Sequence, residues 1–294
     1  MLSRSIFRYR RRSPVENTVI SHTQSRHGEL SLRFACYDHQ TRLVDSFFKT
    51  PLQVMQPILD ETGCLLIYLL SPTGGVVQGD RYCIDIVAEE NTHAIFTTQA
   101  ATKVYRMPQA DASQIVNIEV YPGAVFEYIP DATILFKGSN FRQEVNITLH
   151  PGAMLLMQDI IMPGRLARGE VMEFDSYKSI LRIRDDRGLI LYEPVALRPV
   201  TDNFYQMGIL EGYTCWGSWY CIGEGIAWNE FCRDALPVFE ETSDSIGSIS
   251  TLYRNGVGAR VISNYVSPIY ACFEHLRQRI RTQYLNLPHI TLRK

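Results

Sequence analysis

A single, mainly β domain of layered sheets, β-solenoid-like and with a few helices, is the fold predicted by this sequence, and three observations predict it. A weak repeat runs between Arg81 and Arg165 at a period near thirty residues, the scale of a stacked supersecondary unit. Each copy alternates apolar and polar residues, as strands with one buried face do. The helical period of about 3.6 enters only near the C-terminus.

The clearest copies are IVNIEVYPGAVF from Ile115 and EVNITLHPGAML from Glu144, with a more diverged one, YCIDIVAEENTHAIF, from Tyr82. Ala94, Ala124 and Ala153 mark equivalent points, 30 and 29 residues apart. In the second copy Val116, Ile118 and Val120 take one face, and Asn117 and Glu119 the other. Pro-Gly supplies the reversal, because proline fixes its own φ and glycine accepts a positive one. A strand-turn-strand unit cannot bury its apolar face alone, so successive units must stack.

The remaining elements follow in order. Residues 1–27 carry five arginines before the first acid, Glu16, and are expected to form a disordered basic arm. A single domain follows over 28–294. GELSLRFACY from Gly28 alternates as a strand, LLIYLL from Leu65 is apolar enough for a buried one, and SPTGG ends it. Asp185-Asp186-Arg187-Gly188 is the turn of a hairpin over 178–197. A helix is expected over 268–284, with Ser267 as its cap and Pro268 at its first position. Ile269, Phe273, Leu276, Ile280 and Tyr284 form its buried stripe, and Arg277, Arg279 and Arg281 a solvated face.

Composition excludes several functions. Hydrophobic residues make up 46% and charged residues 20% of 294, and the formal net charge is -2. These values suit a globular core and disfavour nucleic-acid or membrane-surface binding driven by bulk charge. The seven cysteines form no C-x-x-C pair, which points to buried thiols in a reducing compartment. SPTGGVVQGDR (71–81) has glycines at P-loop spacing, but Asp80 and Arg81 stand where that loop needs Lys and a hydroxyl. A carboxylate there would repel a triphosphate.

No G-x-S-x-G and no H-x-x-x-H pattern occurs. His93 and His150 sit beside repeat turns and are expected to be exposed. Polar residues nevertheless recur where mid-strand positions are expected. If the copies stack, Thr97, Gln99, Glu127, Asp131, Gln158 and Asp159 converge on a polar column in an otherwise apolar body. Buried polar groups need partners, either each other or water. Oxygen ligands of this kind can pass a hydrated divalent cation without trapping it. The competing reading is an enzyme, a β-solenoid carbohydrate hydrolase or lyase using a pair of acids from Glu127, Asp131 and Asp159.

Four motifs in order, YLLSPTGGVVQGDR (68–81), TTQAATKVYR (97–106), PGAVFEYIPDATILFKGSNF (122–141) and the GR-x-A-x-GE element of 164–170, closely resemble the urease accessory protein D family, called UreD or UreH. The likeness covers about residues 28–294. It implies a non-enzymatic, cytoplasmic maturation factor that binds apo-urease with UreF and with UreG, the GTPase of the set, and helps deliver nickel to the urease active site. An internal tunnel for the metal is part of that picture. Ni2+ would pass transiently, with no cofactor held tightly and no nucleic acid or membrane as partner. Gly74, Gly75, Gly79 and Asp80 then form a structural turn, with Asp80 orienting a loop or carrying metal. Lys103, Tyr105, Arg106, Arg165 and Glu170 anchor their segments or meet a partner. Departures from the usual pattern are QGD for GGD and the IPDATILF segment. Trp216, Trp219 and Trp228 lie in a poorly patterned stretch that suits either core packing or an interface.

Overall fold

The computed structural model describes residues 26–240 and 244–292. All but the last two residues of the basic arm therefore lie outside the described residues. The strands are β1 His27–Tyr37, β2 Gln40–Lys49, β3 Gln53–Val54, β4 Ile58–Leu59, β5 Leu65–Leu70, β6 Arg81–Ala88, β7 His93–Thr98, β8 Thr102–Val104, β9 Ala112–Val120, β10 Val125–Ile129, β11 Thr133–Leu135, β12 Asn140–Leu149, β13 Met154–Met162, β14 Ser176–Asp185, β15 Gly188–Leu197, β16 Cys215–Ile222, β17 Ser245–Thr251 and β18 Gly256–Ser263. The helices are α1 Trp228–Ala235, α2 Pro237–Glu240 and α3 Val266–Gln283.

The strands form two sheets. The first has the order β15-β14-β12-β9-β6-β1-β2, and the second β17-β18-β16-β13-β10-β7-β5-β3. Strands β1, β6, β9, β12 and β14 run parallel in the first, as do β5, β7, β10 and β13 in the second. Antiparallel strands close both stacks. The chain crosses from the first sheet to the second at each Pro-Gly or equivalent turn, and short third-side strands β8 and β11 pair with one another. This is a β-solenoid, as the repeat predicts.

Its register corrects one detail. Met154 pairs with Val125, an interval of 29 residues, but Val125 pairs with His93, an interval of 32. Ala94 therefore lies level with Phe126 and not with Ala124. The turns keep one length, four residues at 89–92, 121–124 and 150–153, and the extra residues of the first copy lie between β7 and β9, so aligning by residue type misplaces the first copy by two.

Alternation sorts the side chains. Between the sheets, Ile84, Val116 and Val145 from the first meet Phe96, Phe126 and Leu155 from the second, all within one buried cluster. The outer face of the second sheet, with Leu156, Ile160 and Trp219, packs under α3 through Ile269, Phe273, Leu276 and Ile280. Trp219 is fully buried and Trp228 nearly so, which places the tryptophan-rich stretch largely in the core. The hairpin of β14 and β15 is antiparallel as expected.

The C-terminal helix differs from expectation in two ways. It begins at Val266 with Tyr265 as its N-cap and no side-chain cap hydrogen bond, so Ser267 caps nothing. Arg277 and Arg281 are fully buried, not solvated. At about 100° per residue Arg277 lies only about 40° from Phe273, within reach of the covered face.

Helix α3 approaches the second sheet over Gly217, where an added Cβ would stand 2.6 Å from Ile269 and 2.7 Å from Phe273. Gly217→Ala is expected to cost about 1–3 kcal/mol through overpacking. A thermal melt of the variant beside the parent measures it, and an unchanged midpoint would contradict this packing.

Candidate functional site

Two polar clusters occupy opposite faces of the second sheet. On the outer face β10 carries Glu127, fully buried beneath α3. A carboxylate only accepts, so His93 Nε2 donates to Glu127 Oε1 at 2.9 Å. Arg277 Nη1 donates to Oε2 at 3.2 Å, and Arg281 Nη1 donates to Oε1. The same arginines hold the following segment. Arg277 Nη2 donates to the Ile290 carbonyl at 2.9 Å, Gln278 Nε2 to the same oxygen at 2.8 Å, and Arg281 Nε to the Pro288 carbonyl at 3.2 Å. Burial opposes the Glu127 charge, but the His93 hydrogen bond and the Arg277 and Arg281 charges outweigh it and bring its pKa down to about 2. Glu127 thus clamps the helix and the segment after it to the solenoid. His93, expected to be an exposed turn residue, belongs to this clamp.

The inner face holds a different arrangement. A cavity of about 20 Å³ lies between the sheets, lined by Asp159 on β13, Tyr177 and Ser179 on β14, Glu193 on β15, and Ser218 and Tyr220 on β16, with Ile161, Leu181, Val195 and Trp216. That volume holds about one water. Burial and the neighbouring Glu193 charge raise the Asp159 pKa to about 7, against the lowering effect of a Gln143 hydrogen bond. Glu193 accepts from the Tyr220 hydroxyl and from Arg260 Nη1. Arg260 also donates to Ser218 Oγ at 3.1 Å and to the Tyr220 oxygen at 3.2 Å.

The expected polar column is therefore divided. Asp159 faces inward, whereas Glu127 and Gln158 face outward, because neighbouring strand residues leave opposite faces. Thr97 Oγ1 donates to the Ile129 carbonyl at 2.6 Å and Gln158 Nε2 to the Pro130 carbonyl at 2.8 Å, so both hold the end of β10. Asp131 and Gln158 line an outer groove of about 670 Å³ with Ile134, Met162 and Tyr270. Gln99 is exposed. Glu127 and Asp159 do not face each other, so that pair cannot flank one bond. Glu193, Tyr177, Tyr220 and Arg260 escaped the sequence reading; the signal available was that Glu193, Ser218 and Tyr220 interrupt otherwise apolar strands.

A third grouping unites the remaining motif residues at the short side of the solenoid. The Tyr105 hydroxyl reaches the Gly74 carbonyl at 3.4 Å, and its ring meets Phe136 edge-on at 5.1 Å. Arg165 lies 4.7 Å over Phe136 and donates to Glu170 through Nε at 2.9 Å, while Glu170 accepts from the Lys137 amide at 2.9 Å. Gly75, at φ +150°, lies so close to the Lys103 carbonyl that a Cβ would stand 2.3 Å from it. Lys103 and Arg106 are exposed at this edge. Gly79 donates to the Asp111 carbonyl at 3.2 Å. Asp80 is fully buried and accepts from the Val77 amide at 2.9 Å and the Tyr82 hydroxyl at 2.6 Å, so it orders its own turn. Among the described residues no group of three or more His, Cys, Asp or Glu side chains is placed to hold a metal ion.

These features define a class first: a β-solenoid with a carboxylate-lined chamber between its sheets and a C-terminal helix clamped outside by a buried charge. The sequence model of the UreD urease accessory protein family matches residues 26–294. The chain is 32% identical to Urease accessory protein UreD 2 of Streptomyces griseus over 287 residues, 95% of this chain and 98% of that protein. It is 30% identical to Urease accessory protein UreD of Corynebacterium glutamicum strain R over 264 residues, 87% and 92% of the two chains. For Urease accessory protein UreD of Bacillus cereus the identity is 28% over 249 residues, 84% and 91%. The chain belongs to the UreD family. No helix among the described residues is long and apolar enough to cross a membrane.

Two predictions separate the clusters. Glu127→Gln leaves the buried Arg281 without a counter-charge and Arg277 with only the half-exposed Glu274, whose Oε2 accepts from Arg277 Nε at 3.1 Å, and is expected to cost about 3–5 kcal/mol, read by chemical denaturation at pH 7. A depressed carboxylate contributes stability above its unfolded value of 4.5 that is lost as pH falls toward about 2, so the parent's acid slope in that window should shrink in the variant. Asp159 has the opposite sign. Its folded pKa lies near 7 against 3.8 ordinarily, so it retains a proton in the fold that the unfolded chain has lost, and stability falls as pH rises between those values. Asp159→Asn is expected to melt higher than the parent at pH 8 and to lose that slope. A lower midpoint would contradict the assignment.

Proposed function

We propose that this chain is a non-enzymatic factor in urease maturation, acting in the cytoplasm with UreF and the GTPase UreG on apo-urease, and that nickel passes through the chamber between its sheets. The observation that carries the reading is the pairing of Asp159 with Glu193 in an oxygen-lined cavity inside an apolar body. Two carboxylates brought together resist simultaneous ionisation, and a divalent cation relieves that repulsion as a proton does. Tyr177, Tyr220, Ser179 and Ser218 add neutral oxygens around the cavity. A site with two carboxylates and no imidazole or thiolate in its lining suits passage better than retention, since nickel takes nitrogen and sulfur ligands more strongly.

Three further points support it. Glu127 and Asp159 leave opposite faces of the second sheet and the chamber at Asp159 is about 20 Å³, too small for a sugar ring, which weighs against a carbohydrate hydrolase or lyase that uses Asp159. The 71–81 turn is ordered by Asp80 through its own backbone and the Tyr82 hydroxyl, so nucleotide hydrolysis falls to a partner. Lys103 and Arg106, exposed beside the tightly built Tyr105 and Arg165 edge, are the residues we assign to partner contact; guanidinium forks suit carboxylate recognition.

The test is urease activation reconstituted from apo-urease, UreF, UreG, GTP and nickel, with this protein present, omitted, or carrying Asp159→Leu or Glu193→Leu. Activation should require the protein and fall at least tenfold with either variant while the complex still co-elutes on gel filtration. Activation that ignores both variants would overturn the chamber, and activation without the protein would overturn the accessory role.

A further inference from the structure

One residue stands between the chamber lining and solvent. The first sheet ends at β15, whereas the second continues past β16 to β18 and β17. The end strand β15 reaches across to this extension: Arg254, in the turn between β17 and β18, donates to the Leu189 carbonyl at 3.1 Å, and Arg260 pairs with Glu193. Ser218 pairs with Arg260 across β16 and β18, which puts the two side chains on the same face. Val257, Ala259 and Val261, the alternating residues of β18, belong to the outer core under α3. Arg260 therefore projects from the inner face toward β15, with most of its side chain open to solvent.

Its contacts match that position. The guanidinium touches three of the groups that line the chamber: Glu193, Ser218 Oγ at 3.1 Å and the Tyr220 oxygen at 3.2 Å. The two ends of the ion pair differ in exposure, with the Arg260 side chain 62% accessible and Glu193 only 15%. Arg260 can thus turn into solvent on its flexible stem without disturbing packed residues, while Glu193 stays in place. We infer that Arg260 is a gating residue, a cation stand-in that occupies the outer side of the chamber when no metal is present and that an entering divalent cation must displace.

The inference rests on the nickel path proposed above and assigns that path a mouth. It has a physical reason as well. A semi-buried carboxylate left unpaired is costly, and a guanidinium neutralises it without filling the chamber. The exchange of Arg260 for the metal then moves charge with little net change. It also makes the resting affinity low, because the metal competes with a group tethered at high effective concentration.

Equilibrium dialysis of the isolated full chain against nickel chloride tests this, comparing the parent, Arg260→Gln, Arg260→Lys, Glu193→Gln and the double variant Arg260→Gln/Glu193→Gln, each checked for folding by circular dichroism. Arg260→Gln should bind nickel at least tenfold more tightly than the parent, and the gain should vanish in the double variant. Arg260→Lys, whose ammonium cannot fork across Glu193 and Tyr220, should bind more tightly than the parent but less so than Arg260→Gln, and it decides the matter if the glutamine variant does not fold. Nickel binding that depends on Glu193 but is unchanged or weakened in both Arg260 variants would overturn the gate and leave the path standing. Absence of any Glu193-dependent binding, in every variant, would overturn both.

Discussion

Successive side chains of a β-strand leave opposite faces, and where a strand lies between two packed layers that rule commits each acid to one of two environments. The second sheet of this protein is such a layer. Glu127 falls on its outer side, against two arginines of α3, and is held charged. Asp159 falls on its inner side, where burial first and the Glu193 carboxylate second drive it toward the protonated form. The same residue chemistry becomes a clamp in one place and a cation-ready pocket in the other, and the parity of a residue along its strand decides which.

The clamp is the less obvious of the two. A buried ion cluster is weak grounds for high stability, because desolvation consumes much of the Coulombic gain. What Glu127 provides is specificity of docking: a shared counter-charge for two buried guanidinium groups, and through their remaining N–H groups a grip on the Pro288 and Ile290 carbonyls. Helix, following segment and solenoid are joined through one carboxylate. The outer groove beside Tyr270 and the covered patch of Cys64, Ile95 and Ile129 exist only because that docking holds.

The chamber follows another logic. Its lining comes from four strands, β13, β14, β15 and β16, and two of these are antiparallel additions at the end of the parallel stack. Within the stack, like positions recur and aliphatic rows such as Ile84, Val116 and Val145 fill the interior. Where the repeat ends, the rows are no longer matched and polar residues can converge. On the solvent side of that region stands Arg260, paired with Glu193 across the two sheets.

The layered β fold was legible from the sequence because it is written in short-range signals: alternation within nine or ten residues, Pro-Gly turns at a near-constant interval, and a change of period at the final helix. The motifs around Gly75, Tyr105, Arg165 and Glu170 were legible as a set, and the fold gathers them at one edge. Local pattern could not supply the register of the first copy, since a misalignment by two residues leaves the alternation intact. It also could not place Arg277 and Arg281 inside, because an arginine is buried only when a distant acid makes it affordable, and that acid lies 150 residues away from Arg277. Asp159, Glu193 and Arg260 are separated by whole strands, and only the stacking of the sheets, with one ending before the other, makes them neighbours.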